Sequence, residues 1–322
     1  MLNYPLKFTP ILKEKIWGGY KLRFQFNKKS ILKNIGESWE ISDVEGSISI
    51  VSNGNLKNTS LSELLSIYKS DLLGKNNYVN FGNNFPLLIK FIDAKQDLSV
   101  QVHPDDELSK KRHNSFGKTE MWYIMQAEEN ARLILGFKET ITAKQYVTLL
   151  EEKNILSVLN EVYVKKGDTF FIETGTVHAI GAGVVLAEIQ QTSDITYRIY
   201  DFDRVDDEGK ERELHTELAI DALNFNSKID TERSYSKETN ALNEVVKCEY
   251  FITNFISVDG EMEIDYSKKD SFIIFICVEG SANITIFSST ETIELGETIL
   301  IPAIANNVII TAENCKLLEV TL

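Results

Sequence analysis

The sequence predicts an all-β fold with a few helical additions, arranged in two units, and three observations carry that expectation. Residues 162–204 read as a strand, a tight turn at Gly181-Ala182-Gly183 and a returning strand. Residues 85–91, FPLLIKF, form a near-continuous apolar strand with Lys90 inside it. From residue 247 onward the chain breaks into five short apolar runs, 247–258, 270–280, 282–289, 292–302 and 307–312, separated by turn residues.

In chain order, residues 4–19 form an extended arm ending in Trp17-Gly18-Gly19, where Trp17 either packs under the glycine turn or lines a ligand site. Residues 36–49 alternate enough for a strand that puts Trp39 and Ile41 in the core. Leucines at helical spacing over 60–73, with Ser60 as cap and Glu63 at the matching capping-box position, predict a surface helix. Ser99, Gln101 and His103 alternate with Val100 and Val102, so a strand points the polar three to one side, and Pro104 ends it. Helical intervals recur over 140–159 and, more briefly, over 214–223. His113 follows Lys110-Lys111-Arg112 in a polar loop and His215 stands at a helix start, so both are read as solvated. From about Phe225 to residue 244 the chain is polar and reads as a linker or exposed loop, which divides it into units 1–235 and 236–322. Within the second unit, Val258-Asp259-Gly260-Glu261 and Glu279-Gly280 read as hairpin turns. LGETILIPA at 295–303 echoes KGDTFFIETG at 166–175, which suggests an internal duplication.

These elements gather polar residues. In a register symmetric about Ala182, Ile180 pairs with Val184, His178 with Leu186 and Thr176 with Glu188, which sets an imidazole diagonal to a carboxylate; the register one residue off stays open. Thr196, Arg198 and Tyr200 share a face at period two, which brings a guanidinium toward the same cavity. Glu120 lies between the turn-prone Phe116-Gly117-Lys118 and the apolar run MWYIM. Gln101, His103, Glu120 and His178 together offer two imidazoles, a carboxylate and an amide oxygen, a borderline N/O donor set for a divalent metal.

Bulk composition bounds the partners. A chain of 322 residues has room for about two domains. A net charge of -14 argues against a nucleic-acid partner, which needs concentrated Lys and Arg, and it repels anions at long range. An anionic substrate must therefore be held by basic residues inside a cleft. Cys248, Cys277 and Cys315 are an odd number in apolar segments, so disulfides are not expected. No run approaches about 18 apolar residues and the N-terminus lacks a signal core, so no membrane partner and a cytoplasmic location are expected.

QVH at 101–103, KTEMWYI at 118–124, GTVHAIGAG at 175–183 and EIQQTSDITYRIYDFDR at 188–204 resemble the class I mannose-6-phosphate isomerases, in their short bacterial branch. KIWGG at 15–19 and GESWEIS at 36–42 extend the resemblance over essentially the whole chain in order. Gly167, Gly175 and His178 also fit the second cupin motif, with Glu173 where cupins commonly carry proline. The resemblance implies a catalytic cupin, an RmlC-like jelly roll with helical additions, over 1–235, and a degenerate, metal-free cupin-like domain over 236–322. It implies one zinc ion per chain on Gln101, His103, Glu120 and His178, and a small phosphosugar substrate for a monomer or homodimer. It also places Trp17 at the sugar and Lys90 near the phosphate.

An aldose to ketose isomerisation moves a proton between C2 and C1 through a cis-enediol. It needs an electrophile at the oxygens and a base that reaches one face of both carbons. Glu188, a carboxylate the metal does not need, is the candidate for proton transfer, and Lys118 is its rival. Arg198 is expected to stabilise the enediolate, with Ser99 and Lys90 holding phosphate. Two other classes stay open. A metal-dependent cupin oxygenase is disfavoured by Gln101, which fills a position dioxygen would need, and a non-catalytic sugar-binding cupin protein would be expected to have lost Glu188 or Arg198.

Overall fold

Period-two alternation decides how the strands are layered. The computed structural model describes residues 2–206, 208–226 and 230–322. Its six-stranded sheet runs in the order Thr169–Ile172, Glu120–Ala127, Val184–Gln191, Leu87–Asp93, Ile35–Ile41 and Ile11–Gly19, antiparallel throughout. Ile89, Phe91, Met121, Tyr123, Val185 and Ala187 enter one core. Their neighbours Ile92, Trp122, Ile124, Val184 and Leu186 enter another. Burial on both faces demands apolar residues at successive positions, which is why 85–91 reads as a continuous apolar run.

The facing five-stranded sheet runs in the order Leu159–Tyr163, Arg132–Phe137, His178–Ile180, Val100–Val102 and Tyr197–Tyr200. Leu133, Leu135 and Ile180 meet the inner core. Val100, Val102, Tyr197 and Ile199 point outward, into a core completed by the helices Ala143–Glu151 and Thr216–Ala222. A seven-stranded sheet has Asn243–Lys247 at one edge and, at its centre, the long strand Asn307–Thr321, which pairs with three others. It encloses Phe275, Cys277 and Leu317 on one side, while Phe255, Phe272 and Leu318 join the core beneath the six-stranded sheet. The protein is mostly β with helical additions, as expected. Gly296, at φ 81, opens the strand Thr298–Ile301 much as Gly167, at φ 89, opens Thr169–Ile172. The three cysteines are free, and no helix among the described residues is long and apolar enough to cross a membrane.

Several turns differ from the sequence reading. Gly181-Ala182-Gly183 does not close a hairpin: His178–Ile180 pairs with strands of the five-stranded sheet, and Val184–Gln191 with strands of the six-stranded one. The turn is a corner between sheets, and glycine is needed there for space, since a Cβ at Gly181 would stand 2.1 Å from the Arg132 carbonyl oxygen. Asp259-Gly260 is a bulge inside the continuous strand Ile252–Asp265, where the register against Asn307–Thr321 slips between Val258 and Gly260. Glu279-Gly280 joins two strands that both pair with Asn307–Thr321.

The helix at 60–73 has its capping box but divides into Leu61–Tyr68 and Ser70–Leu73 at Lys69, where φ is 50. The 140–159 segment holds Ala143–Glu151 and a short 3-10 turn, Ile155–Val158. Three helices among the described residues escaped the pattern, Lys21–Phe24, Lys75–Phe81 and Asp106–His113. Of the polar stretch after Phe225, residues 227–229 lie outside the described residues. The part beyond them is no free linker, because Phe171 N–H donates to Thr231 O at 2.7 Å and Arg233 N–H to Thr169 O at 2.9 Å.

Candidate active site

Three inward side chains from the two facing sheets converge at one end of the sandwich. His103 follows Val100–Val102, and Glu120 and His178 are the first residues of their strands. Each is at most 1% exposed, and their donor atoms all lie within 4.8 Å of one another. Glu120 Oε1 stands 3.4 Å from His178 Nε2, and Glu120 Oε2 stands 3.8 Å from His103 Nε2. Ligands on a tetrahedral ion with bonds of ~2.1 Å are about 3.4 Å apart, the separation already present between Glu120 and His178.

The hydrogen bonds fix the tautomers. His103 Nδ1 lies 2.9 Å from the Ile195 carbonyl oxygen, and His178 Nδ1 lies 2.8 Å from that of Thr176. A carbonyl only accepts, so each Nδ1 carries the proton and each Nε2 presents a lone pair. His103 Nε2 and Glu120 Oε1 are buried without a hydrogen-bond partner, and Glu120 Oε2 is answered only by the Lys118 ammonium at 3.3 Å, so a protein interior would favour a further cation between the imidazole and the carboxylate. Burial pushes His178 down to about 4 and His103 well below its ordinary range, so both rings are neutral, as ligation requires. Burial pushes Glu120 up to about 7 against the pull of Lys118, whose Nζ is 3.3 Å from Oε2. Gln101 lies opposite His178 in the strand register and turns its amide nitrogen, at 3.2 Å, toward His178 Nε2. A half-turn of the amide exchanges nitrogen for oxygen in the same place.

Beside this group lies a cavity of ≈ 430 Å³. Lys13, Lys15, Lys90, Lys118, Arg198 and Arg212 line it against Glu37, Glu188 and Asp194, so its walls are positive although the whole chain is negative. Trp17, Ser99 and Gln101 also reach it, and Trp17 packs in the inner core as well. Trp39 is buried, as expected, and also walls the cavity; the Lys13 and Lys90 ammonium groups lie 4.7 and 5.1 Å from its ring centroid. Lys90 is not at the solvent surface. Its Nζ lies 3.1 Å from Glu188 Oε1, while Trp122 Nε1–H donates to Glu188 Oε2 at 3.0 Å. Burial alone would raise the Glu188 carboxyl, but Lys90 and Lys118 outweigh it and hold it below the usual carboxylate range.

Glu188 therefore does not sit opposite Thr176. Its register partners are Lys90 and Trp122, and it faces His178 across the sandwich through the Trp122 ring, 5.4 Å from the imidazole. Arg198 reaches the cavity, its Nη1 donating to Glu213 O at 2.8 Å and its Nε buried without a partner. Tyr200 does not follow it: the register slips between Arg198 and Tyr200, and Tyr200 packs with the outer helical core. His215 is not merely solvated, because its Nδ1 accepts the Arg198 backbone N–H at 3.1 Å and its own N–H donates to Arg198 O at 2.6 Å. His113 is exposed but ends the helix Asp106–His113, with Nε2 2.8 Å from the Tyr197 hydroxyl. Arg212 was missed by the sequence reading. Asp201 steers it, accepting Nε–H at 2.7 Å and Nη2–H at 2.5 Å, and nothing in the polar stretch around 212 announces that pairing.

Sandwich, inward imidazoles and carboxylate define a cupin-type protein. The family model described as phosphomannose isomerase type I, catalytic domain, matches residues 6–154, and that described as mannose-6-phosphate isomerase, cupin domain, matches residues 241–322. The mannose-6-phosphate isomerase ManA of Bacillus subtilis is 36% identical over 305 residues, 94% of each chain. The mannose-6-phosphate isomerase of Streptococcus mutans is 33% identical over 302 residues, 92% of each chain. The crystal structure of the mannose 6-phosphate isomerase from Bacillus subtilis aligns with a TM-score of 0.90 at 33% identity, covering 99% of this chain and 100% of that one. The chain belongs to the type I phosphomannose isomerases, an enzyme family.

Proposed function

We propose that the protein interconverts mannose 6-phosphate and fructose 6-phosphate through a cis-enediol, with one zinc ion held by His103, Glu120, His178 and, after the amide turns, Gln101. The observation that carries this reading is the buried lone pairs on His103 Nε2 and Glu120 Oε1, which no donor meets, gathered with His178 beside a cation-lined cavity. Neutral imidazoles, one carboxylate and an amide oxygen suit zinc and leave it a net positive charge. When bound, such an ion supplies Lewis-acid polarisation of the sugar oxygens.

The chain's own residues do the rest. Glu188, kept ionised by Lys90 and Lys118, is in the state a base needs; it accepts the proton from C2 and returns it at C1. Lys118 is the rival for that role. Arg198 donates to the oxygen on which charge grows, and Ser99 and Lys90 contribute to holding the phosphate. Trp17 walls the sugar from water. Residues 236–322 hold no catalytic residue in this reading, in keeping with a donor group and cavity that draw on nothing beyond Arg212 among the described residues.

The test is coupled conversion of mannose 6-phosphate to fructose 6-phosphate before chelation, after it, and after zinc is returned, alongside elemental analysis of the purified protein. Activity that falls with chelation, returns with zinc and tracks about one equivalent per chain is expected. Full turnover in demetallated protein would overturn the metal reading. A metal-loaded protein without turnover would overturn the substrate.

A further inference from the structure

Asp106 begins the helix Asp106–His113, and its carboxylate collects donors from three separate parts of the chain. Oδ1 accepts the Gly117 backbone N–H at 2.7 Å and the Gln191 amide at 3.0 Å, and Oδ2 accepts the Tyr250 hydroxyl at 2.8 Å. Gln191 in turn accepts the Thr119 N–H on Oε1 at 2.9 Å, and its own backbone N–H donates to Thr119 O at 3.2 Å. Gly117 and Thr119 flank Lys118 and lead into Glu120, so the segment bearing the cavity lysine and the buried carboxylate hangs from one acid and one amide. The packing there is close: a Cβ at Gly117 would stand 2.7 Å from the Asp106 nitrogen.

Tyr250 comes from a segment 144 residues further along the chain, the turn between Asn243–Lys247 and Ile252–Asp265 of the seven-stranded sheet. The turn is closed by the Cys248 N–H on Phe251 O at 3.0 Å. Phe251 is buried, with its ring edge-on to Phe171 at 6.4 Å, and Phe171 lies opposite Met121 in the strand register. Ring and hydroxyl of neighbouring residues thus grip the same strand start, one beside Met121 and the other through Asp106.

We propose that Tyr250 is a positioning residue for the candidate active site, acting through Asp106 and Gln191 to fix the segment from Gly117 to Glu120. The inference rests on the site reading above. A metal ligand displaced by a few tenths of an ångström binds less well, and hydrogen-bond partners beyond the ligands commonly change metal affinity or activity 10- to 100-fold. Tyr250→Phe removes one hydroxyl and keeps the ring, leaving Asp106 two of its three donors.

The experiment compares full-length wild type, Tyr250→Phe, Asp106→Asn and the double variant, each loaded with Co²⁺ as the probe metal. It reads the visible spectrum, Co²⁺ release to a chelator, kcat, KM and melting temperature. Expected for Tyr250→Phe are an altered Co²⁺ spectrum, release faster by about 10-fold, a similar fall in kcat and an unchanged KM. The double variant should be no worse than Asp106→Asn alone, because both act on one path. If Asp106→Asn does not fold, Gln191→Leu takes its place in the cycle. Wild-type release and turnover in Tyr250→Phe, a fall in melting temperature alone, or additive effects in the double variant would each overturn the proposal. A wild type that neither binds Co²⁺ nor isomerises the sugar would overturn the site reading itself, an outcome distinct from a Tyr250→Phe that matches an active wild type.

Discussion

Lys90 Nζ and Glu188 Oε1 lie 3.1 Å apart on residues that face each other directly in the register of Leu87–Asp93 and Val184–Gln191. Their side chains are 6% and 4% exposed, so neither charge has water to fall back on. Removing one partner of such a pair costs far more than the pair contributes, because the other charge is left buried. Lys90→Met is therefore expected to lower stability by roughly 3 kcal/mol in urea unfolding. Adding Glu188→Gln should restore part of it, since the orphaned charge is gone. A Lys90→Met protein as stable as wild type would show that the carboxylate finds another partner.

Asp201 supplies the pH dependence. Burial raises its carboxyl, but Arg212 and Arg204 outweigh burial and hold it below its ordinary 3.8. A depressed folded value means that the unfolded chain takes up the proton first as pH falls. The stabilisation is therefore full above the unfolded value and is lost as pH drops through the folded one. Wild type should exceed Asp201→Asn in melting temperature by a constant margin above about pH 5, with the gap closing below the ordinary carboxylate value. Thermal melts across that range check it. A gap that widens on acidification contradicts the pairing.

Much of the site was legible because strand alternation is local. Gln101 and Ser99 could be placed on one face from five residues of sequence, and the same rule puts Arg198 inward between Tyr197 and Ile199, which join the outer core. Partners across strands were not legible, since nothing within 162–204 says that Glu188 pairs with Lys90 and Trp122. Gly181 and Gly183 give the same signal for a hairpin and for a corner between sheets. Trp39 reads as core because an aromatic on a strand usually is, and it is buried; its second role as cavity wall depends on Lys13, on the adjoining strand Ile11–Gly19, a pairing the local sequence does not announce. The helix after Pro104 was readable in hindsight of its ends: Asp105 caps it by accepting the Leu108 N–H, Asp106 and Glu107 fill its first turn, and Lys110, Lys111 and Arg112 its last.

Gly181 tests the corner. Its N–H donates to the Arg132 carbonyl oxygen at 2.9 Å, and the same oxygen occupies the place a Cβ would take. Backbone cannot step aside as a side-chain tip can, so Gly181→Ala is expected to cost about 2–3 kcal/mol. The strand His178–Ile180 ends at this corner, so its displacement should also loosen His178 and hasten metal release. Unchanged stability with unchanged metal retention would mean that the corner is softer than its contacts indicate.

In the proposed mechanism the chemistry turns on Arg198 and Glu188, neither of which belongs to the His103, Glu120 and His178 donor group. Substituting them should leave the bound metal in place, which separates a loss of chemistry from a loss of ligand. If Arg198 meets charge that grows between sugar and enediolate, Arg198→Ala should lower kcat more than it raises KM, by something on the order of 100-fold. A residue that only held phosphate would show the reverse. Glu188→Gln keeps volume and can still accept from Lys90 and Trp122, yet it cannot take a proton from carbon. Turnover should collapse while metal content stays full. The decisive measurement is exchange of the C2 proton of mannose 6-phosphate with deuterated solvent, followed by NMR. Near wild-type exchange in Glu188→Gln would move the base to Lys118, whose ammonium lies 3.3 Å from Glu120 and faces the same cavity. Loss of metal together with exchange would instead make Glu188 part of the ligand set.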